Sequence, residues 1–331
     1  MSRRAAFMLW ILLRAAAWSL LGMCALAQLG WLYGRFVTDA HMWSRFLWWM
    51  PTLLVLPAGV IGVVAARLCG GDKQARRTRT IAMALLGAVP LLWFTLHEYR
   101  IFRAAPQDPS GLKIVHWTIA DPSINPRTEP FAQRIIEMNG DLTVLTNSDG
   151  AAWHPSVKAW IEGQGRVLSV GPFAVVTRRE VTEARWIAGA DRIVVALLVL
   201  EPGGEFPRPL NVMLVDLPSN PDLSRIQIGQ KLREILETAK APVPDIVVGD
   251  FNMTRGSASL REAFPEMRHA FESGGHGYGA TFPRQFPLFH IDHILISREI
   301  TCERYDFESA PGGRHRPHAA WLEWAGEVGR E

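Results

Sequence analysis

The sequence predicts an α+β fold in which two packed β-sheets are flanked by helices and preceded by three transmembrane helices. The chain has 331 residues, of which 48% are hydrophobic, and the apolar excess lies in the first hundred residues. From residue 112 onward, short apolar strands outnumber the helices, and the helices fall between groups of strands, which is typical of two packed sheets. This second part contains no internal repeat, and its length is that of a single domain.

Three apolar segments predict the transmembrane helices, over residues of about 7–34, 47–67 and 81–97. A helix of about 20 apolar residues crosses the hydrocarbon core of a bilayer. Tryptophans lie near the ends of these segments, as they do in the aromatic belts of membrane proteins. A cleaved signal peptide would have a shorter apolar stretch and a small-residue cleavage site. We therefore expect residues 1–99 to form a membrane domain.

The basic residues of the loops predict the orientation. The N-terminus carries Arg3 and Arg4 and the second loop carries five basic residues, whereas the first loop has only Arg35 and Arg45. Positively charged loops stay in the cytoplasm, which places residues 112–331 outside the cytoplasm after a linker over 100–111. We expect a multi-pass protein of the inner (plasma) membrane with an extracytoplasmic C-terminal domain.

Charge and cysteine content exclude several classes of function. The net charge is only +3, and no basic stripe interleaved with aromatic residues follows residue 105, which argues against nucleic acid as a partner. Of the three cysteines only Cys302 lies in the C-terminal part, and no Cys-x-x-Cys spacing occurs. An internal disulfide or a cysteine-based zinc site in that part is therefore excluded.

Hydrophobic periodicity predicts the elements of the C-terminal domain. Helical spacing predicts helices over 127–139 and 223–239. Apolar and β-branched runs predict strands over 112–119, 141–146, 167–177, 193–200, 211–217, 245–250, 291–297 and 319–324. A glycine-rich turn is expected at 274–279.

One of these strands ends in a polar pair that suggests a ligand site. The run Asp245-Ile246-Val247-Val248-Gly249-Asp250-Phe251-Asn252 indicates a buried strand followed by a turn. Asp250 is an oxygen donor suited to a hard divalent cation, and Asn252 is able to donate to a phosphate oxygen. The alternative is an Asx-turn, in which both side chains bond only the local backbone.

Two more strand ends carry polar groups. Asp292 and His293 open the strand over 291–297, and His315 precedes the last strand. A carboxylate, an amide and an imidazole at converging strand ends are the groups needed to hydrolyse a phosphate ester. A metal polarises the phosphoryl oxygen, and the histidine activates water.

These motifs resemble the endonuclease/exonuclease/phosphatase superfamily, which has the DNase-I-like fold. The resemblance covers about residues 112–325, and a strand ending in Thr177-Arg178 belongs to it. The blocks in family order are Val248-Gly249-Asp250-Phe251-Asn252, Gly279-Ala280-Thr281-Phe282-Pro283, Ile291-Asp292-His293-Ile294-Leu295-Ile296-Ser297 and His315-Arg316-Pro317. The three spans add a similarity to bacterial membrane phosphatases that act on lipid-linked pyrophosphates.

The resemblance implies roles for individual residues. The implied catalytic residues are Asp250, Asn252, Asp292 and His315, and the implied metal ion is Mg²⁺ or Mn²⁺. The implied metal ligands are Asp250, Asn147, Asp149, Asp216 and His293, and the implied substrate-binding residues are Thr118, Arg178 and Arg314.

Four positions depart from the family pattern. Thr118 stands where the family has Asn, Asn147 where it has the Glu that is the chief metal ligand, Asp216 where it has His, and Arg314 where it has Asp. If their side chains approach, Arg314 would lower the pKa of His315 and leave it without an orienting acid. Asp149 and Asp216 are candidate replacements for the missing ligand.

Two functions remain open. The first is a membrane-anchored, extracytoplasmic, metal-dependent phosphoesterase that acts on a phosphate-containing small molecule or lipid. The alternative is a catalytically silent domain that binds a phosphorylated envelope component or a protein partner.

Overall fold

The computed structural model describes residues 2–120, 125, 127–148, 150–190, 192–204 and 206–326. The chain divides into two compact units, Met1–Ile101 and Phe102–Glu331. The first unit contains only helices, and the second contains both sheets.

The first unit consists of four helices. Ser2 and Asp72 cap the first and the fourth helix by accepting a hydrogen bond from Ala5 N and Ala75 N, which satisfies a backbone donor of the first turn. The helices are α1 Arg3–Val37, α2 Ser44–Trp48, α3 Thr52–Leu68 and α4 Lys73–Trp93, the last continuing as a π-helix over Phe94–Glu98.

The prediction of three transmembrane helices is only partly supported. Among the described residues, two helices, Arg3–Val37 and Lys73–Glu98, are long and apolar enough to cross a membrane. The predicted span 47–67 is divided, because α2 ends at Trp48 and α3 starts after Pro51, whose backbone is extended. The remaining α3 has 17 residues, or about 26 Å, which is shorter than a hydrocarbon core of about 30 Å.

The described part of the second unit contains two six-stranded sheets. Its strands are β1 Leu112–Thr118, β2 Leu142–Thr146, β3 Arg166–Val170, β4 Phe173–Thr177, β5 Val181–Ala190, β6 Ile193–Leu200, β7 Leu210–Asp216, β8 Ile246–Asp250, β9 Arg268–His269, β10 Asp292–Ile296, β11 Ile300–Phe307 and β12 His318–Trp324. One sheet has the order β11-β12-β1-β2-β4-β3, and the other has the order β5-β6-β7-β8-β10-β9.

Helices cover the outer faces of both sheets. The helices of this unit are α5 Glu129–Met138, α6 Pro155–Ile161, α7 Arg225–Thr238, α8 Ala258–Ala263 and α9 Ala270–Gly274. The main apolar core lies between the sheets and includes Ile114, Val144, Leu214 and Val248. Separate apolar clusters lie under α5 and α6 on one sheet and under α7 and α8 on the other. The predicted two-sheet α+β fold flanked by helices is therefore confirmed.

The predicted strand over 167–177 is wrong, because this segment is a hairpin. Strands β3 and β4 pair in antiparallel register around a turn at Gly171, which has a φ of 60°, a conformation that glycine adopts without strain. Strands β5, β9 and β11 and helices α6, α8 and α9 are additional elements that the periodicity did not indicate.

Candidate active site

Strand ends at one edge of the two sheets bring predicted catalytic side chains together. Strand β8 ends at Asp250, strand β10 begins at Asp292 opposite it, and His315 lies in the loop before β12. Nδ1 of His315 is 2.8 Å from Oδ2 of Asp292, and Nε2 of His315 is 3.9 Å from Oδ2 of Asp250. None of the three residues is more than 5% exposed. They form one cluster, which we call the acid–histidine cluster.

Asp292 is fully buried and is held from two sides. Thr118, at the end of β1, donates its hydroxyl to Oδ1 of Asp292 over 2.7 Å. Burial alone would raise the pKa of Asp292, but the charge of His315 and its hydrogen bond lower the pKa below the usual range. Asp292 is therefore a carboxylate at neutral pH, and it orients the imidazole of His315. Thr118 is only 1% exposed and its hydroxyl bonds Asp292, so the structure shows this contact in place of the predicted contact with substrate.

His315 carries a positive charge in this environment. Burial alone would lower its pKa, but the charge of Asp292, the hydrogen bond to Asp292 and the charge of Asp250 raise the pKa to about 9. Arg314 opposes this shift, but its charge is the smallest of these causes and its side chain is exposed. The expected loss of an orienting acid is wrong, since Asp292 supplies that acid from a different strand.

Asp216 and Asn147 lie beside the cluster. Strands β7 and β8 run parallel with Asp216 opposite Asp250, and neighbouring strands are about 4.8 Å apart. Nδ2 of Asn147 donates to Oδ2 of Asp216 over 3.1 Å, which leaves the amide oxygen of Asn147 available. Burial raises the pKa of Asp216 to about 6 and the pKa of Asp250 well above its usual value, and the charge of Asp292 contributes to both shifts.

This set of donors fits a hard divalent cation. Two carboxylates, of Asp250 and Asp216, lie opposite each other on neighbouring strands, and the amide of Asn147 bonds Asp216. Two neighbouring carboxylates with raised pKa values have poorly compensated negative charge, and a cation removes that penalty. Carboxylate and amide oxygens are the ligands that Mg²⁺ and similar ions prefer.

Asn252 follows Asp250 in a turn that also shows the bonds of the simpler alternative. The backbone of Asn252 has a φ of 49°, a region where Asn is tolerated better than most residues. Its N–H donates to Oδ1 of Asp250 over 3.1 Å, and its Nδ2 donates to the carbonyl of Leu217 over 2.9 Å. The Asx-turn is therefore present, but it occupies one oxygen of Asp250 and leaves Oδ2 facing His315.

Two of the predicted site residues that the structure describes, His293 and Arg178, are not part of this cluster. His293 follows Asp292 in a strand, so its side chain points to the opposite face, where Nδ1 and Nε2 bond His269 and the carbonyl of Met253. A shared metal site with Asp250 is therefore ruled out for His293. Arg178 lies at the opposite edge of its sheet, because Thr177 pairs with Leu142 at the start of β2 rather than with its end. Asp149 lies outside the described residues.

A buried polar chain beneath the cluster was not foreseen from the sequence. His116 and His318 pair in register on β1 and β12, with Nδ1 of His116 2.9 Å from Nε2 of His318. The chain continues from His116 to Thr146 at 3.0 Å and from His318 to the hydroxyl of Tyr305. These residues lie on four consecutive strands of one sheet, and no motif marks them because their contacts come from long-range strand pairing.

The sequence profile that matches this chain fits the fold and the cluster. The profile is that of the endonuclease/exonuclease/phosphatase family, and it matches residues 113–321. The chain belongs to this family. The match spans both sheets and includes Asp250, Asp292 and His315.

Solved structures with the same fold come from several bacteria. A mannosyl-6-phosphatase from Bacteroides thetaiotaomicron is 14% identical and has a TM-score of 0.51, with 65% of this chain and 100% of that protein covered. A conserved protein of unknown function from Enterococcus faecalis gives 14% identity, a TM-score of 0.51, and coverage of 64% and 100%. A further family protein from B. thetaiotaomicron is 14% identical and has a TM-score of 0.50, with 66% of this chain and 96% of that protein covered. At these identities the similarity establishes the fold alone, and no curated protein matches the chain.

Proposed function

We propose that the protein is a divalent-metal-dependent hydrolase of phosphate esters. The observation that carries this proposal is the contact of His315 with Asp292 at 2.8 Å, which leaves Nε2 of His315 3.9 Å from Oδ2 of Asp250. An oxygen atom placed beside both groups lies within hydrogen-bond distance of each. That position suits an oxygen of the phosphoryl group or the attacking water.

The side chains of the cluster have separate roles in this proposal. His315, with its pKa raised to about 9, donates from Nε2 to an oxygen of the phosphoryl group and stabilises the charge that develops there. Oδ2 of Asp250, which faces His315, accepts a hydrogen bond from the attacking water and orients it. Asn252 has a second amide N–H for a phosphate oxygen, and exposed Arg314 contacts the substrate outside the cluster.

The metal ligands that we propose are Asp250, Asp216 and the amide oxygen of Asn147, with Asp149 as a further ligand. Bound Mg²⁺ or Mn²⁺ supplies Lewis-acid polarisation of the phosphoryl oxygen. Asp292 is assigned to orient His315, because both of its oxygens already accept hydrogen bonds.

We further propose that the first unit anchors the protein in the plasma membrane and that the catalytic unit is extracytoplasmic. In the two longest apolar helices only 17% and 11% of the most apolar window is buried within the protein, so their sides suit a lipid environment. The side of the membrane on which the catalytic unit lies depends on whether α3 crosses the bilayer. With three crossings the catalytic unit lies on the opposite side from the N-terminus, and with two crossings it lies on the same side. Protease added to spheroplasts should remove the C-terminal unit, and its full protection would contradict this placement.

Purified full-length protein in detergent provides the test of activity. We expect turnover of phosphate monoesters, diesters, a pyrophosphate or DNA from a panel of these compounds only with Mg²⁺ or Mn²⁺. Asp250→Ala should lower the rate by roughly 10²- to 10⁴-fold, while Asp222→Ala, which removes an exposed carboxylate, should retain it. Equal activity in wild type and Asp250→Ala would mean that a contaminant is being measured.

The silent-domain alternative is favoured by one observation, the bond between Asn147 and Asp216 at 3.1 Å. Asn147 is a neutral amide at the position where the family has a charged Glu, and its Nδ2 is already paired with Asp216. This alternative predicts no turnover and binding of a phosphorylated compound that survives chelation. Calorimetric titration with Mg²⁺ and Mn²⁺ separates the two, because micromolar binding that Asp250→Ala abolishes supports the enzyme.

A further inference from the structure

A chain of hydrogen bonds on the far face of strand β10 ends at the turn that carries Asp250 and Asn252. The backbone N–H of Phe271, in the first turn of α9, donates to Nδ1 of His269 over 3.0 Å. Nε2 of His269 lies 2.7 Å from Nδ1 of His293, and Nε2 of His293 lies 2.8 Å from the carbonyl oxygen of Met253. We call this chain the histidine relay.

The two ends of the histidine relay fix the tautomer of both rings. A backbone N–H only donates, so Nδ1 of His269 is an acceptor and its Nε2 carries the proton. Nδ1 of His293 must then accept from His269, and its Nε2 carries the proton that the carbonyl of Met253 accepts. All bonds therefore point in one direction, from α9 to Met253, when both rings are neutral. Burial is the main cause that lowers the pKa of His293 to about 4 and that of His269 well below its usual value.

These tautomers also exclude a metal role for the group. Nitrogens of His269, His290 and His293 lie within 4.8 Å of one another, as in a three-histidine metal site. A neutral imidazole has one lone pair, and in His269 it already accepts from the N–H of Phe271. The pair on Nδ1 of His293 accepts from His269. Only His290 keeps a free lone pair within the described residues, and one nitrogen does not make a site.

The relay is one of several bonds that hold this turn, beside those from the N–H of Phe251 to the carbonyl of Ile291 and from the N–H of Arg255 to the carbonyl of His290. Asn252 has a φ of 49°, and its side chain bonds Leu217 on one side. On the other side, His293 bonds the carbonyl of the next residue, Met253, and packs edge-on against Phe251 with ring centroids 5.2 Å apart. The bond to His293 therefore limits the rotation of the peptide between Met253 and Thr254, which is the second peptide after Asn252.

We propose that His293 is a positioning residue, which fixes the turn from Asp250 to Asn252 through its bond to Met253 and is itself oriented by His269. The proposal rests on the proposed function for its effect on rate, but the geometry that it describes does not. His293 contacts neither substrate nor metal. Its loss lets Asn252 and Oδ2 of Asp250 move relative to His315.

Two substitutions at His293 separate the hydrogen bond from mere packing. In His293→Gln the amide N–H still reaches the carbonyl of Met253, whereas His293→Leu fills the space without a donor. With the compound that the wild type hydrolyses fastest, we expect His293→Leu to lower kcat by roughly 10- to 100-fold with little change in KM. His293→Gln should recover most of kcat. An equal loss in both variants would overturn the proposal, because packing would then be the cause.

A second measurement does not depend on activity. Long-range ¹H–¹⁵N spectra of histidine-labelled full-length protein in detergent should show protonation at Nε2 for both His269 and His293. Hydrogen exchange of the segment 250–256 should be faster in His293→Leu than in the wild type and unchanged in His293→Gln. A proton on Nδ1 of either ring, or unchanged exchange in His293→Leu, would overturn the proposal. If these results hold and no variant turns anything over, the proposed function fails and the relay stands.

Discussion

Adjacent residues of strand β10 organise two histidine groups that differ in charge. Asp292 faces the acid–histidine cluster, where His315 is protonated because two carboxylates raise its pKa to about 9. His293 faces the opposite side, where no carboxylate lies among its hydrogen-bond partners in the described ranges and burial lowers its pKa to about 4. The same type of side chain, an imidazole, is thus a cation on one face of the strand and a neutral part of a hydrogen-bond relay on the other.

The difference shows that residue type alone does not identify a metal site. Both groups bring three metal-ligating residues within 4.8 Å. In the acid–histidine cluster, oxygen lone pairs of Asp250 and its neighbour Asp216 remain available and their pKa values are raised. In the relay, the N–H of Phe271 uses the lone pair of His269, and the N–H of His269 uses the lone pair of His293. The direction of the hydrogen bonds, rather than the residue types, therefore distinguishes the candidate metal site from the histidine relay.

The largest effect is expected when the charge of Asp292 is removed. In Asp292→Asn the pKa of His315 should fall, because its strongest stabilising charge is lost, and the ring becomes neutral near pH 7. We expect kcat/KM to drop by roughly 10²- to 10⁴-fold, and the alkaline limb of the pH–rate profile to move to lower pH. Asp222→Asn, on the exposed surface, is the matched control. An unmoved alkaline limb would show that Asp292 does not set the charge of His315.

The neutral histidines make a second prediction, which concerns stability at acidic pH. Within the described ranges, five buried imidazoles have lowered pKa values: His116, His269, His290, His293 and His318. Each accepts a proton in the unfolded chain near pH 6.5 but resists it in the folded state, so stability falls as the pH drops below 6.5. The raised pKa values of Asp216 and Asp250 act in the opposite direction between their folded values and about 4.

The net expectation is an uptake of roughly three protons on unfolding near pH 5, or on the order of 4 kcal/mol per pH unit. His315 gives a weaker loss above pH 6.5, complete as the pH rises through its folded pKa of about 9. Thermal unfolding of the full-length protein in detergent, measured from pH 4 to pH 9, should therefore show a steep acidic limb and a shallow alkaline one. His276→Ala should leave both limbs unchanged, because His276 is exposed. Symmetrical limbs would contradict the assigned charges.

Much of the fold, and the position of the polar residues that form the acid–histidine cluster, follow from the sequence. Strands such as Ile193–Leu200 are continuous apolar runs that periodicity locates, and polar residues at the ends of β8 and β10 mark the site edge. The assignment of Arg178 failed because Gly171 and Pro172 allow a tight turn that divides one apolar run into two strands. The turn reverses the chain, so Arg178 lies at the far edge.

The positions of the other histidines were beyond the reach of local patterns. The alternation of side chains in a strand already separates His293 from Asp292, and this rule alone would have removed it from the metal ligands. His269, in contrast, is 24 residues away from its partner and lies on a two-residue strand. Only the pairing of β9 with β10 brings the two rings together, and such long-range pairing has no local signature.

The smallest expected effect comes from His290, which packs against both relay histidines and distinguishes a relay from a metal site. His290 is 7% exposed, and neither ring nitrogen has a hydrogen-bond partner among the described residues. Its ring packs against Phe271 and Phe307, with centroid distances of 5.5 Å and 5.3 Å. Replacing a buried polar group that lacks partners by an apolar one of similar shape removes a desolvation cost of about 1–3 kcal/mol.

We therefore expect His290→Phe to raise the melting temperature, by about 2–4 °C for each kcal/mol gained. His293→Phe, a matched change in the same strand region, should lower it, because it leaves the N–H of His269 and the carbonyl of Met253 without partners. Differential scanning calorimetry of both variants and the wild type measures the two shifts in one experiment. If His290 belonged to a metal site, His290→Phe would destabilise the protein and added Zn²⁺ would stabilise only the wild type, so a rise in melting temperature without a response to Zn²⁺ assigns the group to the relay.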